Sequence, residues 1–104
     1  MERQEFESII KEVNDAKCCS IYDVNDDCEL FTKAKAESVI DGLFVDKHRW
    51  YEITTSVYKI GEWFLGVRGV SDLFSESMSF SDCEIETIAF EMELVLSETY
   101  IAKK

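Results

Sequence analysis

Residues 50–70 read WYEITTSVYKIGEWFLGVRGV, and the fold turns on the middle of this stretch. Two runs rich in β-branched and aromatic residues, 50–60 and 63–70, flank Gly61-Glu62. A two-residue connection with glycine first fits a type II′ hairpin turn, because glycine takes positive φ without a Cβ clash. Such a turn sets Ile60 opposite Trp63, Tyr58 opposite Leu65 and Ser56 opposite Val67, and it leaves Ile53, Val57, Phe64 and Val70 on the other face. Neither face is cleanly polar. One face is therefore expected to meet helices, and the other to be partly covered or to form a contact surface.

Upstream of the hairpin, Phe6, Ile9, Ile10 and Val13 recur on one helical face, which predicts an amphipathic helix over 3–15. Glu2 and Glu5 suit its N-terminal end. Residues 18–31 read as two short strands around the turn-forming Asn25-Asp26-Asp27. Ala36, Val39, Ile40 and Leu43 predict a second helix over 33–43, with Thr32 as N-cap and Gly42 near its end. Downstream, residues 71–84 (SDLFSESMSFSDCE) are a Ser- and acid-rich loop that carries Leu73, Phe74, Met78 and Phe80. A last strand is expected from 85 to 100. In it Ile88, Phe90, Met92, Leu94 and Leu96 alternate on one face, and Ala89, Glu91, Glu93 and Val95 on the other. This order predicts an α+β fold, an antiparallel sheet with two helices packed on one face, as a single domain over 1–104.

The apolar fraction of 46% and aromatic fraction of 12% suit a folded chain. There is no proline, and no repeat or low-complexity stretch. The opening MERQEFESII is charged and unlike a signal peptide, and no segment reaches ~18 unbroken apolar residues. The expected compartment is the cytoplasm, that of the host cell if the chain is phage-encoded, and no membrane contact is expected. Cys18, Cys19, Cys28 and Cys83 then read as free, buried thiols rather than a disulfide framework.

Candidate chemistry is sparse. Asp23, Asn25 and Asp27 match the first ligands of a calcium loop, but Cys28 stands where glycine is needed and Ala34 where a bidentate Glu belongs. The cysteines and His48 lack zinc spacing. His48, the single histidine, lies in the charged stretch Asp46-Lys47-His48-Arg49, and nothing orients it as the base of a Cys83 nucleophile. No phosphate-binding or nucleophile-elbow motif occurs. The reading is therefore of a non-enzyme with no cofactor, no metal and no catalytic residue.

The charge is the sequence's strongest functional signal. It totals −11, and no Lys or Arg stands between Arg68 and Lys103. That interval holds Asp72, Glu76, Asp82, Glu84, Glu86, Glu91, Glu93 and Glu98. Such a chain repels nucleic acid and anionic membrane and is drawn to basic surfaces. On a strand, the pairs Glu84/Glu86 and Glu91/Glu93 would each share a face at ~6.5–7 Å between Cα atoms, about the spacing of successive phosphates along a nucleic-acid strand. Among Trp50, Tyr51, Trp63 and Phe64, any ring exposed beside the acidic loop would serve as an interface anchor.

In its short acidic length, its Phe74-Ser-Glu-Ser-Met-Ser-Phe-Ser-Asp-Cys83 stretch and its Ala89-Phe-Glu-Met-Glu93 strand, the chain resembles small acidic accessory proteins of bacteriophages and mobile elements. That group includes anti-CRISPR and anti-restriction proteins. The resemblance implies an inhibitor that binds a basic nucleic-acid-binding surface of a bacterial defence nuclease, in the manner of a nucleic-acid mimic. The contact residues expected from the charge pattern are Asp72, Glu76, Asp82, Glu84, Glu86, Glu91 and Glu93. Two other readings stand beside it: a regulatory module that forms a homodimer through the hairpin, with Trp63 and Phe64 as anchors, and an immunity protein against a basic toxin.

Overall fold

The computed structural model describes residues 1–96 and 99–103. The predicted N-terminal helix is α1, Arg3–Ala16, and its stripe of Phe6, Ile9 and Val13 is fully buried. The helix ends on Lys17, which adopts the left-handed conformation (φ 51°) usually taken by glycine.

Residues 18–33 differ from the expected pair of strands. A 3₁₀ turn at Ile21–Asp23 leads into two short helices, α2 (Val24–Asp27) and α3 (Glu29–Lys33). The buried apolar set is Cys18, Ile21, Val24, Cys28 and Phe31, spaced three or four residues apart as a helical face requires. Asn25-Asp26-Asp27 is the body of α2, not a hairpin turn. Thr32 caps no helix start. Its hydroxyl lies in the last turn of α3 and donates to the Asn25 carbonyl at 2.8 Å, with the Cys28 carbonyl also in reach at 3.0 Å. The start of α3 is capped from outside: the Glu12 carboxylate of α1 accepts the N–H of Leu30 (2.9 and 3.1 Å) and of Phe31 (3.3 Å).

The second predicted helix, 33–43, is instead an edge strand, β1 (Glu37–Lys47). β2 (Tyr51–Ile60) and β3 (Trp63–Leu73) form the expected hairpin in the expected register, with Ile60 opposite Trp63 and Tyr58 opposite Leu65. Gly61 at φ 61° is followed by a residue of ordinary negative φ, as a type II′ turn demands. The predicted single last strand is two strands, β4 (Ile88–Leu96) and β5 (Thr99–Ala102), which pair antiparallel. Ser97 and Glu98, between them, lie outside the described residues, as do the side chains of Leu94, Val95 and Leu96. All neighbours in the β1-β2-β3-β4-β5 order are antiparallel, so the chain is α+β with a five-stranded antiparallel sheet.

Among the described residues, three apolar clusters hold the sheet. Phe6, Ile9 and Val13 of α1 and Val24 and Phe31 of the short helices share the largest with Ile60, Leu65, Val67 and Ala89. By strand alternation those four sheet residues lie on one face. A second cluster, around Val57, Met92 and Tyr100, gathers residues of all five strands, including Ile40 and Leu43, the apolar residues that had suggested a helix. The third lies under the 74–87 segment, where Met78, Phe80 and Ile85 pack against Tyr51, Ile53, Val70 and Cys83.

Beyond the reach of β5, the Asn14 side chain stands in for a sheet partner. Its amide donates to the Ala89 carbonyl (3.0 Å), and its oxygen accepts the Ala89 N–H (2.8 Å). No helix among the described residues is long and apolar enough to cross a membrane.

Candidate functional site

The seven carboxylates singled out by the charge pattern do not form one row. Glu91 sits on β4 and is committed internally. Its carboxylate takes both terminal nitrogens of Arg3 (2.7 and 2.6 Å) and lies within 3.4 Å of the Lys103 ammonium. Its side chain keeps only 13% of its surface in solvent. The Arg3 guanidinium, which also lies over the Phe6 and Trp63 rings, holds this carboxyl below the usual glutamate range. Glu93 is exposed, two residues along the same strand.

Glu84 and Glu86 are exposed but precede β4, which begins at Ile88, so the expected strand spacing between them is absent. Asp72 is exposed near the end of β3, and Glu76 in the loop beyond it. Asp82 closes a small turn. Its carboxylate accepts the Ser79 N–H (2.8 Å) and hydroxyl (3.1 Å), and these bonds, the backbone one first, lower its pKa.

Five of the seven, Asp72, Glu76, Asp82, Glu84 and Glu86, thus belong to one continuous segment, which carries Phe74 and meets Trp50 across the end of the hairpin. Trp50 and Phe74 flank the ends of β2 and β3, and the Phe74 N–H donates to the Trp50 carbonyl (2.8 Å), extending the ladder by one bond. The two residues keep 45% and 49% of their surface in solvent. A groove beside Trp50 is walled by Ser75, Ser77, Met78 and Asp82 of the acidic loop. The Arg49 guanidinium lies over the Trp50 ring at 4.7 Å.

The other central aromatics face inward. Tyr51 is buried, Trp63 stacks on Phe6 (5.5 Å), and Phe64 meets Tyr100 edge-on (5.1 Å). The two anchors expected for a hairpin homodimer therefore pack against the chain's own side chains.

The groups with catalytic potential are differently placed. His48 is exposed and stacks on Tyr51 at 4.3 Å. Cys18, Cys28 and Cys83 are buried free thiols, and Cys19 is exposed. Burial, reinforced by Cys28 and Asp27, raises the Cys18 thiol to about 12, and burial raises Cys28 and Cys83 as well, so all three are protonated near neutrality. Among the described residues no three His, Cys, Asp or Glu side chains converge as a metal site would require. Comparison with protein-family models, curated proteins and solved structures finds no match to this chain.

Proposed function

We propose that this chain is a binding protein whose contact surface is the acidic loop and the aromatic pair at its root, and that its partner presents a basic, nucleic-acid-binding surface. The observation that carries the reading is the exposure of Trp50 and Phe74, paired through the backbone, at the root of the segment that holds Asp72, Glu76, Asp82, Glu84 and Glu86. Large exposed rings beside a predominantly acidic rim, with the Arg49 guanidinium over one of them, are the composition of an interface hot spot with its steering field. A protein built to grip phosphates exposes Lys and Arg, which this rim complements. Occupying such a surface would exclude the nucleic acid, which is the action of an inhibitor of a defence nuclease. The rings would set the off-rate, and the carboxylates the on-rate and salt dependence.

The full chain, immobilised and exposed to lysates of bacterial hosts, should retain such a partner and release it along a salt gradient. With the purified partner, Trp50→Ala with Phe74→Ala should weaken binding by at least about tenfold, and charge reversal at Asp72, Glu76, Glu84 and Glu86 should do the same and flatten the salt dependence. Nucleic acid should compete. Unchanged affinity in folded charge-reversed protein would sink the proposal.

A further inference from the structure

The sheet has two outer edges, and they are unlike. β5 is four residues long and is followed directly by Lys103. Shortness and lysine are both devices that blunt an edge. β1 is eleven residues long and stands at the other end of the strand order. A long edge strand leaves a row of backbone N–H and C=O groups without partners.

A bulge divides β1. Ile40 stands opposite Val57 and Phe44 opposite Thr55, so Asp41, Gly42 and Leu43 together face Ser56. Gly42, at φ 77°, makes the bend, and its N–H donates to the Ser56 hydroxyl oxygen (3.4 Å). Beyond the bulge the pairing is regular, from Phe44 opposite Thr55 to Lys47 opposite Glu52. One contact sets the phase of this run: the His48 N–H donates to the Tyr51 carbonyl (2.8 Å). Bonded and non-bonded pairs alternate along an antiparallel ladder, so Asp46 and Phe44 also bond to β2. Val45 and Lys47 then turn their N–H and C=O groups outward.

The side chains of the run are open as well. Phe44, Val45, Asp46 and Lys47 are all exposed, and since successive strand residues alternate, neither face of the run is covered. Phe44 keeps 53% of its surface in solvent and Val45 48%. Asp46 is paired with Arg68 (3.5 Å). Asp41, which accepts from the Ser38 hydroxyl (3.0 Å), and Lys47 have no ionic partner among the described residues.

We infer that β1 is an interface with a second copy of this chain, the two strands pairing antiparallel about a two-fold axis at Phe44. In this register each Phe44 faces its counterpart, each Leu43 the second copy's Val45, and each Asp41 the second copy's Lys47. The backbone phase agrees. Phe44 bonds inward to β2, so across the axis it takes the non-hydrogen-bonded position, where Cα atoms are about 4.5 Å apart and side chains meet most closely. Val45 and Lys47, with outward groups, take the bonded positions. Two opposite-charge pairs lie directly across the ladder, and no like charges meet, because Asp46 falls opposite Gly42. An axis at Val45 sets each Phe44 ring against an Asp46 carboxylate, and an axis at Leu43 sets each Val45 against Asp41, so the register is specified. Two such short runs make an interface of the weak class. Copies of net charge −11 also repel, so the dimer forms at high protein concentration and ordinary salt. It uses neither Phe74 nor the acidic loop, and it stands or falls apart from the proposed function.

The test is sedimentation equilibrium of the full chain in about 0.15 M salt. From about 10 μM to about 1 mM protein it should give a monomer–dimer equilibrium with a Kd inside that range. Amide exchange at Val45 and Lys47 should slow as the dimer forms, and exchange at Ile101 on the other edge should not. Asp41→Lys and Lys47→Asp, made singly, each set like charges opposite one another twice by symmetry and should weaken the dimer at least about tenfold. Asp41→Lys also makes the chain less negative, so relief of general repulsion would have the opposite effect. An equimolar mixture of the two variants restores opposite charges at both pairs and should recover the lost affinity as a heterodimer. A chain that stays monomeric to about 1 mM overturns the inference. So does a dimer unweakened by either reversal in natively folded protein, a mixture no tighter than the variants alone, or slowed exchange on β5 in place of β1.

Discussion

Removal of the Glu12 carboxylate should unseat a helix to which it does not belong. α3 has five residues, too few to be stable in isolation. Its first N–H groups have no partner within so short a helix, and Glu12, reaching across from α1, accepts those of Leu30 and Phe31. Phe31, held by that cap, is buried and meets Tyr58 edge-on at 5.2 Å. Loss of an ordinary helix cap costs about 0.5–2 kcal/mol, and an ionised acceptor strengthens the bond. With two amides stranded and the seat of Phe31 loosened, Glu12→Ala should cost about 1.5–3 kcal/mol. Glu12→Gln keeps an acceptor of the same reach and should cost about half as much. In a domain of this size each kcal/mol lowers Tm by roughly 4–8 °C. Urea denaturation of the three proteins, with amide exchange at Leu30 and Phe31, measures both effects. If Ala and Gln are equally stable, or if those two amides keep their protection in Glu12→Ala, the cross-helix cap is not what holds α3.

Two further outcomes follow from the charges and thiols. Arg3 depresses the pKa of Glu91, so the pair's stabilisation is fully present above the unfolded glutamate value of about 4.3 and is lost as pH falls through the lower folded value. Glu91→Gln should therefore flatten the acid limb of a plot of urea midpoint against pH, and an unchanged limb would show that the pair carries no linkage. Of the four cysteines only Cys19 is exposed, so a thiol-reactive chromophore should label one site rapidly in native protein and the other three only on unfolding. Rapid loss of a second thiol would contradict the burial of Cys18, Cys28 and Cys83.

The parts of the fold legible in sequence were those whose period had one reading. The stripe of α1 admits no strand, and Gly61-Glu62 admits little but a tight turn, so helix, hairpin and register follow from local chemistry alone. β1 was not legible because Ala36, Val39, Ile40 and Leu43 fit a helix equally well. What decided it is tertiary: β2 is buried on both faces and needs a second strand beside it, and Ile40 and Leu43 satisfy that need from the sheet's far face. Residues 18–31 did carry a helical signal in their buried positions, obscured by a triplet that also makes good turns. Of the candidate site, the acidic residues were visible, but the seat of Glu91 was not, since Arg3 lies far away in sequence. Trp50 and Phe74 come together only through the β2-β3 ladder, so exposure could not be assigned to one ring among four.

The Asn14 clamp on Ala89 bears on how the chain is made. Each strand of this meander can add to the one before it as synthesis proceeds. The first helix cannot follow that order, because Asn14 and Arg3 find their partners at Ala89 and Glu91. Until that strand leaves the ribosome, the stripe of Phe6, Ile9 and Val13 lacks part of its final cover. A helix translated before every strand of the sheet is thus among the last elements to be secured, and the nascent chain has most need of a chaperone in the interval between.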